Sequence, residues 1–266
     1  GAVNRIILAT DGDFNIGVRD TNQLRQLIEQ KRKSGIYLSV LGVGEGNYND
    51  SIMQSLAQNG NRVAAYIDTL SEANKVLGEQ ATSMLFTIAK DVKIQVEFNP
   101  TTVKEYRLLG YESRNLRRED FNNDHVDAGE IGAGHTVTAI YEITPAGAES
   151  GLLDDPHYAE NKSPVPASKS LDEYGLIKIR YKLPGSDVSE LMTESLSINP
   201  VVSDTLKREA NFATAVAAFA QRLKGSQYIG DMEYAEIVTM ALRNKGNDSY
   251  GYRAELGNLI RKSMLI

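Results

Sequence analysis

The chain has no cysteine and no tryptophan, and only seven prolines and three histidines in 266 residues. Without cysteine there is no disulfide, no thiolate metal site and no thiol nucleophile. No apolar run reaches the roughly 18 to 20 residues of a membrane-crossing helix. Positive charge is in deficit: 29 Lys and Arg stand against 35 Asp and Glu, a net charge of −6. That balance disfavours non-specific attachment to nucleic acid or to an anionic membrane surface. What is present is globular, with 41% hydrophobic and 24% charged residues and a length that suits two domains better than one. Gly1-Ala2-Val3-Asn4-Arg5 runs straight into a strand. This start reads as a cut within a longer protein, whose targeting segment would lie upstream.

Periodicity divides the chain into three regions. In 1–88, the buried-strand patterns Arg5 to Ala9, Ile36 to Leu41 and Val63 to Ile67 alternate with helical spacing at Leu24, Leu27 and Ile28, at Ile52, Met53 and Leu56, and from Ser71 to Leu85. That order predicts a parallel sheet with right-handed crossovers. Region 89–202 switches to period two. Val92-Lys93-Ile94-Gln95-Val96-Glu97-Phe98 alternates without error, and Val137 to Ile143 and Ile177 to Leu183 do likewise. Weaker strands cover Val103 to Leu109 and Leu191 to Ile198. One solvated face per strand predicts antiparallel sheets, read as a β-sandwich. A polar stretch over about 145–173 holds four of the prolines and reads as a long mobile loop. In 203–266, Asp204 caps a helix with Phe212, Val216, Phe219, Ala220 and Leu223 on one face, and two further helices follow. The expected class is thus α/β plus all-β: a partial doubly wound parallel sheet, a β-sandwich, and a C-terminal helical bundle packing on the first part.

The sharpest chemical signal is Thr10-Asp11-Gly12-Asp13-Phe14-Asn15, directly after the first strand. Ligands of open α/β sheets sit beyond the carboxyl ends of the strands. A carboxylate at Asp11 is therefore placed to meet a cation or polar ligand, with Thr10, Gly12, Asp13 and Asn15 forming the loop. The plainer reading is a tight β–α turn closed by Asp11.

Arg5-Ile6-Ile7-Leu8-Ala9-Thr10-Asp11-Gly12 resembles the fourth strand and following loop of von Willebrand factor type A domains, and Ile36 to Gly44 resembles the fifth. Tyr106 to Glu112, Asp127 to Val137, Asn211 to Val216 and Gly251 to Leu256 resemble the region that follows such a domain in a bacterial envelope subgroup. The resemblance implies a metal-ion-dependent adhesion site. In that family Mg²⁺ is held by an Asp-x-Ser-x-Ser loop, a Thr, and the Asp after the fourth strand, which maps onto Asp11. The other ligands have no counterpart, so the site would be incomplete in this chain, Mg²⁺ being bound in the intact protein and not by this chain alone. The first three family strands are likewise missing. Arg5 to Ala9 would then be an apolar edge, covered by a second copy in a homo-oligomer, by a separate N-terminal fragment, or by a rearranged segment.

Other motifs fail on their spacing. Asp187-Val188-Ser189-Glu190-Leu191 opens like the adhesion loop but places Leu where the second Ser belongs. Gly42-Val43-Gly44-Glu45-Gly46 lacks the third glycine of a dinucleotide loop, and no P-loop is present. Asp120-Phe121-Asn122-Asn123-Asp124 with Asp127 opens like a calcium loop, yet His125 replaces the turn glycine and Ile131 the bidentate Glu. His125, His135 and His157 are scattered, and Arg107, Arg114, Arg117 and Arg118 read as solvated surface or as partners of the helical region. With no nucleophile–base pair, the expected function is non-catalytic: protein–protein binding or scaffolding at the cell envelope or periplasm, with a lipoprotein anchor in an upstream segment as one form of the full-length protein. The alternatives are a Mg²⁺-dependent hydrolase or ATPase using Asp11 and Asp13, and a purely structural domain.

Overall fold

The structure is a computed structural model. It describes residues 4–10, 23, 26–28, 30–31, 34, 36–44, 64–80, 86–111, 115–126, 128–149, 151 and 172–265. The expected helix at Ile52, Met53 and Leu56 and most of the 145–173 loop lie outside these residues. The chain divides into two units: Gly1–Ile94 with Leu116–Thr136 and Ile179–Met192, and Gln95–Asn115 with Val137–Lys178 and Thr193–Ile266.

In the first unit, β1 (Asn4–Thr10), β2 (Ile36–Val43) and β3 (Ala64–Ile67) form a parallel sheet in the order β1-β2-β3. The order follows the chain, as short βαβ links require, and it leaves β1 at an edge. Val40 and Leu41 of central β2 are buried, and Leu41 packs on Val76 with Ala65 and Ile67 against it. Helix α1 (Leu70–Asn74) starts one residue ahead of the expected Ser71, because Thr69 Oγ1 accepts from Glu72 N at 3.2 Å. It continues as a π-helical turn, Lys75–Glu79.

A second sheet has the order β6-β4-β8-β9, from β4 (Thr87–Phe98), β6 (Gly129–Gly132), β8 (Glu173–Lys182) and β9 (Ser189–Ser197). β4 and β6 run antiparallel, with register shifts between Thr87 and Val92. Asp91 sits in that irregular stretch at φ 50°, a left-handed conformation that Asp tolerates better than most residues. The alternation read in β4 is inverted at its centre: Lys93 is 3% exposed and Ile94 48%. Lys93 turns inward because its ammonium donates to the carbonyls of Asp120, in the middle of a 3₁₀ turn, Arg118–Asn122, and of Asn123, which follows it. Neither that turn nor β6 carries a periodic apolar signal, so neither is predicted from the sequence.

In the second unit, β5 (Val103–Leu109) and β7 (Ile140–Pro145) form an antiparallel pair. Val137 and Ala139, expected in a strand, precede β7 and are exposed. Gly175 of β8 backs onto β4: a Cβ there would lie 2.4 Å from the Glu97 carbonyl. Gly175→Ala is therefore expected to cost about 1–3 kcal/mol as an overpacking change against rigid backbone, measured by urea denaturation; a wild-type midpoint would contradict this packing.

Three helices complete this unit: α2 (Asp204–Leu223), α3 (Tyr234–Arg243) and α4 (Tyr252–Ser263). Ser203, not Asp204, caps α2, its hydroxyl accepting from Leu206 N at 3.1 Å. Ala215, Ala218 and Phe219 of α2 share a core with Ile237, Val238 and Ala241 of α3 and Ile260 of α4. The stripe expected on α2 is split: Phe219 is buried, while Val216, Ala220 and Leu223 are exposed.

Candidate functional site

The carboxyl ends of the parallel strands lie in register, Thr10 beside Gly42 and Gly42 beside Tyr66. Thr10 is half-buried at the end of β1. Asp11, Gly12, Asp13 and Asn15 lie outside the described residues, so Thr10 alone of the expected loop has a position. Beside it, Gly44 takes a φ of 91°, and its carbonyl accepts from the Tyr66 hydroxyl at 2.7 Å. That bond ties the glycine turn to its own sheet. Glu72 Oε2 accepts from Asp68 N at 3.0 Å, which commits this carboxylate to the start of α1.

A hard divalent ion needs about six oxygen ligands. Among the described residues no group of three or more His, Asp or Glu is arranged to hold one. Asp11, the ligand that the resemblance implies, lies outside the described residues, and Thr10 is the described neighbour of its position. What β1 does present, at the end of the strand order among the described residues, is apolar surface: Ile6 is 52% and Ile7 47% exposed. Successive strand residues point to opposite faces, so both faces of this edge carry it.

Several charged groups elsewhere in the chain hold structure. Ser189 Oγ accepts from Arg180 at 2.6 Å, and its bonds to Asp124 hold that carboxyl below its usual range. Lys182 donates to Asp91 at 2.8 Å, a bond that raises its pKa and keeps it protonated, unsuited to act as a base. Arg117 pairs with Asp120 at 3.3 Å. His125 and His135 are exposed, while His157 and Arg114 lie outside the described residues.

Of its two expected readings, Arg107 takes that of a partner of the helical region. Its guanidinium donates to Glu142 and, at 2.7 Å, to Gln221 of α2, and lies 4.6 Å from the Tyr228 ring. Arg253 lies 4.6 Å over Phe212, donates to Glu209 Oε1 at 3.0 Å, and donates to the Lys245 carbonyl at 2.9 Å. The segments Asn211 to Val216 and Gly251 to Leu256, far apart in the chain, thus meet in one clamp. Sequence reading named Arg107 as a candidate partner of the helical region but missed Arg253, because an Arg on a polar helix face has no periodic signature when its carboxylate and ring partners, Glu209 and Phe212, lie over 40 residues away.

Residues 83–266 match the family model described as "Uncharacterized protein YfbK, C-terminal". The chain is 44% identical over 260 residues to "Uncharacterized protein YfbK" of Escherichia coli (strain K12), a match covering 98% of this chain and 44% of that protein. It therefore spans under half the length of the curated relative it matches. A solved structure, "von Willebrand factor type A from Catenulispora acidiphila", is similar at a TM-score of 0.41 and 12% identity, over 98% of this chain and 58% of that one; a likeness this distant adds no weight to the functional reading. The family match and the 44% identity together place this chain in the YfbK family, with residues 83–266 as that family's C-terminal region.

Proposed function

We propose that this chain is part of a non-catalytic protein–protein binding or scaffolding module of the bacterial cell envelope. The observation that carries the reading is the position of β1 at the end of the strand order among the described residues, with Ile6 and Ile7 half-exposed on its two faces. An apolar strand at a sheet edge is a template for strand addition. In this chain alone a second copy takes that edge. In the intact protein, Asp11 contributes to a Mg²⁺ site whose remaining ligands come from outside this chain. The engagement of Lys182, Ser189 and Glu72 in structural bonds supports a binding role over a hydrolytic one.

The test is sizing of this chain across a concentration series, with hydrogen exchange on β1. The wild type is expected to self-associate with β1 amides protected, and Ile7→Lys to weaken association about tenfold or more, since edge lysines block strand pairing. A wild-type monomer at every concentration with unprotected β1 amides overturns the edge reading. Calorimetric titration of this chain with Mg²⁺ is expected to show no micromolar binding, and tight binding would contradict the incomplete site. In the full-length protein, Asp11→Ala is expected to abolish Mg²⁺-dependent partner capture.

A further inference from the structure

The segment that opens like a calcium loop lies across three basic side chains of the first unit. Lys93 Nζ donates to the carbonyls of Asp120, at 3.2 Å, and Asn123. Lys182 Nζ donates to the Asp124 carbonyl and the Asp91 carboxylate, each at 2.8 Å. The Arg180 guanidinium donates to Asn122 Oδ1 at 3.2 Å, lies 3.9 Å from the Asp124 carboxylate, and sits 5.9 Å from the Phe121 ring. Main-chain carbonyls that would face an ion in a metal loop face ammonium groups here.

We infer that Lys93 and Lys182 are the resident cations of this loop, and that residues 118–126 form a strap locked by the protein's own ammonium groups in place of a metal. Lys93 carries the argument. Its side chain is buried, both of its bonds go to neutral carbonyls, and no carboxylate among the described residues pairs with it. Burying an ammonium without a counter-ion is unfavourable unless dipoles solvate it. Carbonyl oxygens supply that solvation as they would for a bound cation. The lock also accounts for the inverted strand pattern, since Lys93 can reach the strap only by displacing Ile94 to the outer face. It follows that the strap takes no Ca²⁺ while the lysines occupy the carbonyls. It also follows that truncating Lys93 leaves a carbonyl cage of a size for a small organic cation.

The test follows hydrogen exchange of amides 118–126 in the full chain. In the wild type these amides are expected to be protected and unaffected by millimolar Ca²⁺. Lys93→Ala should lower their protection about tenfold to a hundredfold, the range expected for losing hydrogen bonds from a charged donor. Methylammonium should restore protection in Lys93→Ala and not in Lys93→Met, whose side chain fills the space. The inference is overturned if Ca²⁺ alters the wild-type strap, if Lys93→Ala keeps full protection, or if methylammonium restores nothing. Should Lys93→Ala not fold, the wild type decides by nitrogen NMR: a protonated, slowly exchanging Lys93 ammonium supports the lock, and a neutral or freely exchanging amine overturns it.

Discussion

Ile237→Ala is expected to destabilise the helical core by about 3–5 kcal/mol, the upper part of the range for truncating a buried Ile. The side chain is fully buried between α2, α3 and α4. Ala215, Ala218 and Ala241 in the same cluster are too small to close around the space it leaves, so the cavity persists and adds its cost to the lost transfer energy. Ile237→Val, which removes one methyl group, should cost about 0.5–1.5 kcal/mol. Urea denaturation followed by circular dichroism measures both, and suits a chain without tryptophan. A loss under about 1 kcal/mol for the alanine variant would mean that this core is not packed as described.

Arg253→Ala is expected to cost about 1.5–3 kcal/mol, typical for hydrogen bonds to a charged group. It removes the fork on Glu209, the bond to the Lys245 carbonyl and the stacking on Phe212. Arg253→Lys should recover little, because an ammonium cannot present two parallel donors to a carboxylate. The same clamp makes stability depend on acid. The Arg253 hydrogen bonds, with its charge and that of Arg208, hold the Glu209 carboxyl below its usual range against the opposing effect of burial. Burial pushes Asp248 upward. Hydrogen bonds from Arg253 N and Ala254 N, together with the charges of Lys245 and Arg253, more than offset that, so it too is lowered. Both groups therefore bind protons more weakly folded than unfolded. Their stabilisation is complete above the ordinary carboxyl range and is lost as pH falls from about 4.5 through the depressed native values. Melting temperature against pH should fall more steeply below that point in the wild type than in Arg253→Ala. Parallel curves would remove Glu209 and its clamp from the acid response.

Much of the architecture was legible because it rests on local periodicity. Continuous apolar runs bounded by Gly and Asp marked the parallel strands Asn4–Thr10, Ile36–Val43 and Ala64–Ile67. Helical spacing marked the three C-terminal helices, the first of them from Asp204 to Leu223 as observed. Gly225 and Gly246 stand between these helices with φ near 60°, as their place in the sequence suggests. The candidate rim was legible up to Thr10. Its neighbour Asp11 rests on the resemblance and the position of the loop.

Hydrophobic periodicity and turn chemistry, read from the sequence alone, marked most of the described strands and helices, and the family resemblance implied that β1 would stand at the edge of a parallel sheet. The tertiary structure alone decided which face of each element is buried and which charges are spent on structure. Lys93 turns inward only because carbonyls 27 and 30 residues away solvate its ammonium. Arg107 and Arg253 leave the surface only because Gln221 and Glu209 come to meet them. A residue's spacing within its own segment sets the direction of its side chain, whereas the cost of burying its charge depends on partners that only the folded chain brings within reach.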